Sequence, residues 1–244
     1  MAINIQPIEK RELSVDGSVQ VHSIFYTLQG EGPFSGQPAV FVRLAGCNLQ
    51  CPACDTDYTS RRTPMSVAAI LDAVRDAFPT SVLMDLVDLI NKPLIVLTGG
   101  EPFRQSIAKL VGSAIQSGYR VQIETNGTLY QHLTFSSPDL TIVCSPKTGK
   151  LSPDLLPHIR AFKYVVKTGD VRAEDGLPIH ALDHSVGGFV ARPPAHVARS
   201  RIYVQPIDTT DPVANESHLQ TAVSSCLKFG YTLCLQTHKI ANLA

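Results

Sequence analysis

The sequence has no excess of either charge: 21 Lys and Arg stand against 21 Asp and Glu. That balance removes the bulk attraction that draws a chain to nucleic acid or to an anionic membrane, and it points to a small-molecule substrate. No window reaches the roughly 18 apolar residues that a membrane span needs. The start, MAINIQPIEKRELSVDG, has neither the apolar core nor the small-residue cleavage site of a secretory signal. A cytoplasmic protein is expected, with neither membrane nor nucleic acid as partner. Internal repeats and low-complexity tracts are also missing. Cysteine is sparse, six in 244 residues. Three of them cluster as Cys47, Cys51 and Cys54, while Cys144, Cys226 and Cys234 lie far apart in apolar segments. Reduced thiols with a metal or cluster at the first three suit this spacing better than a disulfide framework.

What is present is a chain long enough for one sizeable core. From about residue 20, apolar runs alternate with helical patterns, the mark of an α/β domain around a mainly parallel sheet. The predicted strands are VHSIFYTL, AVFVRLAG, PLIVLT, YRVQIET, LTIVCS, FKYVVK, RIYVQPI and YTLCLQ. One helix is predicted from Val67, Ile70, Leu71, Val74 and Phe78. A second runs through Phe103, Ile107, Leu110, Val111, Ala114 and Ile115 and stops at Gly118. A third carries Leu219, Val223, Cys226 and Leu227 on one face and ends near Gly230. Residues 1–19 read as an extension and residues 20–244 as the single domain, with an irregular connection over 170–200.

C-x-x-x-C-x-x-C places three sulfurs on a tight loop. A structural zinc site needs a fourth donor, and no histidine occurs between His22 and His132; a donor from elsewhere in the chain keeps zinc open. An iron-sulfur cluster held by three cysteines instead leaves one iron for an outside ligand. This pattern resembles the radical S-adenosylmethionine (SAM) superfamily, in which that iron chelates the methionine moiety and the reduced cluster generates a 5′-deoxyadenosyl radical. LTGGEP, Leu97 to Pro102, sits between a predicted strand and helix. Its glycines allow close backbone approach, and Glu101 is a candidate acceptor for an ammonium group; an ordinary βα turn is the plainer alternative.

TLQGEG (Thr27 to Gly32), FVRLAGCN (Phe41 to Asn48), CDT (Cys54 to Thr56), IETNGT (Ile123 to Thr128), VCSPK (Val143 to Lys147), VQPID (Val204 to Asp208) and QTHK (Gln236 to Lys239) extend the likeness. In order and position they resemble the 7-carboxy-7-deazaguanine synthase family over roughly residues 20 to 244. The resemblance implies a partial, distorted radical SAM barrel, a homodimer, and a carbon-nitrogen lyase reaction that turns 6-carboxy-5,6,7,8-tetrahydropterin into 7-carboxy-7-deazaguanine. It implies a [4Fe-4S] cluster on Cys47, Cys51 and Cys54, SAM, and magnesium held by Thr56, with a flavodoxin or ferredoxin as electron donor. Magnesium takes oxygen ligands and keeps few from protein, so a hydroxyl suits it when a carboxylated substrate shares the ion.

For the substrate the resemblance implies Arg43 and His238 at the carboxylate. It assigns the pyrimidine edge to Leu28, Gln29, Gly30 and Glu31, with Thr98 and the terminal carboxylate of Ala244. For SAM it implies Gly100, Glu101, Glu124, Ser145, Pro146, Lys147, Gln205, Pro206, Ile207 and Asp208. The family commonly has an aromatic residue before its third cysteine. This chain has Ala53 there, which alters the expected packing on adenine. Two alternatives stay open. A glycyl-radical-activating enzyme shares the cysteine spacing and Gly-Gly-Glu-Pro but does not predict TLQGEG, CDT or QTHK. A non-catalytic iron-sulfur or zinc-binding regulator leaves those motifs unexplained.

Overall fold

The computed structural model describes residues 3–14, 16–84, 92–133, 137–184 and 188–243. The apolar runs become β1 (Val19–Leu28), β2 (Pro38–Leu44), β3 (Thr63–Met65), β4 (Leu94–Gly99), β5 (Arg120–Thr125), β6 (Leu140–Cys144), β7 (Ile159–Val166), β8 (Ile202–Pro206) and β9 (Thr232–Leu233). They form one sheet in the order β3-β1-β2-β4-β5-β6-β7-β8-β9. β1 pairs antiparallel with β2 and β3; from β2 onward every neighbouring pair is parallel. The edge strands do not meet, so the α/β sheet is an open, distorted barrel, as expected.

Period two sorts the strand residues. Val40, Val42, Leu44, Ile95, Leu97, Val121 and Ile123 face one way, into a core shared with two helices, α1 (Val67–Ala77) and α3 (Ala108–Gln116). Burying each such side chain contributes about 1.5–3 kcal/mol. The alternate residues Arg43, Thr98, Glu124, Lys163 and Gln205 face the other way and are polar. Helix α1 starts where the Ser66 hydroxyl accepts from Ala69 N at 3.2 Å. After the short α2 (Thr80–Met84), the largest helix is α4 (Pro212–Phe229). Asp211 caps it, Pro212 opens it, and Gly230 at φ 77 ends it with its N–H on Cys226 O.

Three elements differ from expectation. Phe103 sits on a separate 3-10 turn, Pro102–Arg104, because the Glu101 carboxylate takes its N–H; α3 begins only at Ala108. Phe103 and Ile107 are still fully buried in the same core. The buried face of α4 is His218, Ala222, Ser225 and Cys226, while Leu227 is 81% exposed. His218 takes the central place by accepting Thr168 N at 3.1 Å. The last predicted strand survives only as Thr232–Leu233, and the chain then turns into α5 (Thr237–Ile240). Gln236 reaching Glu31, and Thr237 N on Gly30 O, draw it off the sheet.

Within the expected N-terminal extension, residues 3–14 run beside the cysteine loop, and Ile8 bridges Cys47 in parallel fashion. Over 170–200, the described residues form only isolated bridges and a 3-10 turn. Arg192 ties that stretch together through Asp175 and the carbonyls of Leu177, Pro178 and Val190. No described helix is long and apolar enough to cross a membrane.

Candidate active site

Parallel strands bring their carboxyl ends to one edge, where open α/β sheets bind ligands. A cavity of about 390 Å³ opens there, walled by β2, β4, β5, β7 and β8, by the cysteine loop and by residues from 236 to 239.

Cys47, Cys51 and Cys54 all line it. Burial pushes the Cys47 thiol up to about 12 and the Cys51 thiol up to about 11, and raises Cys54 as well. The metal-free chain holds them protonated, so a bound metal centre must displace those protons. Among the described residues, no three His, Cys, Asp or Glu side chains converge as donors to one metal ion. A single zinc needs its donors at about 2.0–2.3 Å from one point. In an iron-sulfur cluster each thiolate binds its own iron, so three thiols lining one cavity suit it.

Gly99 and Gly100 press the end of β4 onto the chain leading into Cys47. A Cβ on Gly99, at φ +130, would lie 2.1 Å from Leu44 O, and one on Gly100 would lie 2.1 Å from Gly46 O. Glycine is required there by backbone contact. Glu101 is fully buried behind this turn and does not line the cavity. Its carboxylate accepts from Phe103 N at 3.0 Å, Thr125 Oγ1 at 2.8 Å and Asn126 N at 2.8 Å. Burial nonetheless pushes its pKa up to about 7. Asn126 in turn donates to Asn48 Oδ1 at 3.0 Å, joining the IETNGT turn to the cysteine loop.

Lys163 of β7 is buried between two carboxylates, paired with Glu31 and, at 3.2 Å, with Glu124. Glu31 also accepts from Gln205 Nε2 at 3.0 Å and Gln236 Nε2 at 2.8 Å. Glu124 accepts from Gln29 Nε2 at 3.0 Å and Gln122 Nε2 at 2.8 Å. Burial pushes Glu31 up, but the Lys163 charge and these donors outweigh it and hold the carboxyl at about 2. Lys163 is likewise pulled down by burial, and its two carboxylates hold it well above the usual lysine range.

Among the described residues, Arg43 pairs with no carboxylate. Its guanidinium lies 5.4 Å from the centre of the Phe25 ring, and its buried Nε makes no hydrogen bond. A buried donor left open in a polar cavity suits an anionic ligand. Lys147 rests on Ser145 O at 3.0 Å and Ser145 Oγ at 2.5 Å, and burial pulls its pKa down. At the mouth, Lys239 spans Asp55 at 3.0 Å and Asp208 at 3.1 Å.

The cavity therefore gathers Leu28, Gln29 and Glu31 from the first motif, then Arg43, the three cysteines and Thr56. Thr98, Gly100, Glu124, Ser145, Lys147, the run Gln205, Pro206, Ile207 and Asp208, and His238 complete the predicted set found on its wall. Gly30 stands behind, where a Cβ would be 1.9 Å from His238 Nδ1. Pro146 is also off the wall, and Ala244 lies outside the described residues. Sequence reasoning missed Lys163, Gln236, Phe25, Phe41 and Leu182, all on the wall. Phe41 and Gln236 open the motifs FVRLAGCN and QTHK, and Lys163 stood out as a lysine inside the apolar strand FKYVV.

An open, mainly parallel sheet with three thiols and a Gly-Gly-Glu-Pro turn about one cavity defines an enzyme of the radical SAM class. No family model matches the sequence. The chain is 46% identical to the 7-carboxy-7-deazaguanine synthase of Rhodospirillum rubrum over 93% of each chain. It is 37% identical to that of Rickettsia prowazekii, over 95% of this chain and 92% of the relative. A crystal structure of QueE from Escherichia coli matches its fold with a TM-score of 0.64 at 24% identity, over 89% of this chain and 93% of the other. The chain belongs to the 7-carboxy-7-deazaguanine synthase family.

Proposed function

We propose that the protein converts 6-carboxy-5,6,7,8-tetrahydropterin to 7-carboxy-7-deazaguanine with release of ammonia. Family membership supports the reading, and the observation that carries it is one cavity lined by three cysteine thiols and by Arg43, whose buried Nε makes no hydrogen bond among the described residues. Cys47, Cys51 and Cys54 hold a [4Fe-4S] cluster, and Thr56 shares a magnesium ion with the substrate. When bound, the reduced cluster and SAM would supply radical chemistry to the substrate.

The chain's own residues bind and orient. Gly100, Glu124, Ser145, Lys147 and the Gln205 to Asp208 run face SAM, with Glu101 and Pro146 supporting from behind. Arg43 and His238 take the substrate carboxylate. Leu28, Gln29, Gly30, Glu31 and Thr98, with the carboxylate of Ala244, receive the pyrimidine edge. Glu31 stays ionised in its ion pair with Lys163 and so remains an acceptor for N–H groups. Phe25, Phe41, Val165 and Leu182 supply apolar wall that keeps water from a reactive intermediate. A flavodoxin or ferredoxin delivers the electron. A second copy of the chain meets this one at an open sheet edge, where unpaired strand groups invite a partner.

The test is anaerobic reconstitution with iron and sulfide, followed by SAM, magnesium, reductant and 6-carboxytetrahydropterin, with products read by mass spectrometry. The deazapurine is expected, with SAM not consumed stoichiometrically. Formation of 5′-deoxyadenosine without deazapurine would mean that the substrate is wrong. Neither product from a loaded protein would return the chain to the regulator reading.

A further inference from the structure

Two stretches carry none of the family-like motifs, residues 3–14 and the turn at Leu182 and Asp183, and both contact the cysteine loop. We infer that together they form a clamp that presets this loop for its cluster, with Asn4 and Gln6 as positioning residues. The inference rests on the three-cysteine reading above.

An extended segment turns alternate residues to opposite sides, and ordinarily the apolar set is the buried one. Here the pattern is inverted. Asn4 and Gln6 face the protein, while Ile3 and Ile5 are 76% and 85% exposed. Hydrogen bonds to the loop, rather than apolar burial, hold the segment in place. Asn4 N donates to Pro52 O at 2.9 Å and Asn4 Nδ2 to Cys51 O at 3.1 Å. Gln6 Nε2 donates to Thr56 O at 2.9 Å, and Gln6 Oε1 accepts from Tyr58 N at 2.8 Å and Thr59 Oγ1 at 3.0 Å. Glu9 N donates to Cys47 O at 2.7 Å. Two of the three cysteines thus have their carbonyls held by this one segment.

A loop that wraps a cluster must aim its sulfurs and amide N–H groups inward, which turns carbonyls outward. Those carbonyls need donors, or the peptides rotate. The segment supplies them, and Leu49 N already approaches Cys47 Sγ at 3.5 Å. Hydrogen bonds to cluster sulfurs are among the terms that set reduction potential. From the other side, Leu182 O accepts Ala53 N at 3.0 Å. It does so from a turn whose central residues, Leu182 and Asp183, have φ of 51° and 58°. Neither is glycine, and such strain persists where surrounding structure demands it, most often at functional sites. Glu9 anchors the segment by pairing with Arg62 and, at 3.3 Å, with the buried Arg104.

The experiment compares wild type, the double variant Asn4→Ala/Gln6→Ala and the exposed control Ile5→Ser. Amide hydrogen exchange is followed on the metal-free proteins, and iron release to a chelator on the reconstituted ones. Loss of the clamp is expected to speed exchange at residues from 47 to 59 and iron release by about tenfold each, equivalent to about 1.4 kcal/mol. The Tm should stay near that of Ile5→Ser. Restoring glutamine at position 6 alone should recover protection at the Tyr58 amide, whose N–H its Oε1 accepts, but not around Cys51, whose carbonyl Asn4 holds. Unchanged exchange and iron release would overturn the clamp, as would loss of protection spread evenly over the whole sheet. If wild type takes up no iron, the cluster reading fails, and exchange on the metal-free chains still decides the clamp.

Discussion

Replacing Lys163 with methionine keeps the side-chain stem and removes the charge. Glu31 and Glu124 are then left buried with glutamine donors but no cation. The depression of Glu31 from 4.5 to about 2 corresponds to about 3 kcal/mol of stability at neutral pH, at about 1.4 kcal/mol per tenfold change in acidity. Removing one partner of a buried pair costs about 3–5 kcal/mol, so the two routes agree. For a domain of this size that lowers the Tm by about 6–20 °C. The pH dependence gives the sharper test. A carboxyl held below its unfolded value stabilises the fold above pH 4.5, and that contribution is lost as pH falls towards 2. Without Lys163, burial alone lifts Glu31 above its unfolded value. Its contribution is then present in acid and lost as pH rises. The gap between variant and wild type should open as pH rises from about 2 to 4.5 and keep widening above that in thermal and urea melts. A gap that stays constant, or one under about 1 kcal/mol, would mean that Lys163 contributes packing alone and would refute the argument.

Other positions separate binding from folding. Gly30→Ala places a methyl 1.9 Å from His238 Nδ1, so the ring must leave its place; KM for the pterin should rise with little change in Tm, and an unaltered KM would remove this contact from substrate binding. Leu182→Asn puts a residue tolerant of left-handed backbone where φ is 51°. The metal-free chain should gain about 1 kcal/mol, or about 2–4 °C in Tm, and a lower Tm would show that the turn is unstrained. Thr56→Ala should shift the magnesium titration of turnover to higher concentration; coincident titration curves would exclude Thr56 as a ligand.

The strands were legible because their apolar residues alternate, and the site because its motifs end those strands. What escaped were features without period. Apolarity pointed to Leu219, Val223, Cys226 and Leu227 as the inner face of α4; Cys226 is buried, but the face is turned towards His218, which accepts Thr168 N. YTLCLQ reads as a strand until Gln236 finds Glu31, a contact 205 positions away. Lys163 looked like one charge in an apolar strand, since nothing local announces two carboxylates waiting for it. The grip of residues 4–9 on the cysteine loop uses backbone groups and amides, which leave no hydrophobic signature.

Lys239 reaches Asp55 across 184 positions of sequence, and Asn4 reaches Cys51 from the opposite direction. A cavity closed by groups so distant in sequence is completed late in synthesis, since long-range pairing waits for the chain that makes it. The three cysteines leave the ribosome long before the residues that cover them. A metal centre on these cysteines would therefore be enclosed only once the chain has been made past Lys239. A chain stalled before Gln236 would lack the contacts of Gln236 with Glu31 and of Lys239 with Asp55 that close this side of the cavity.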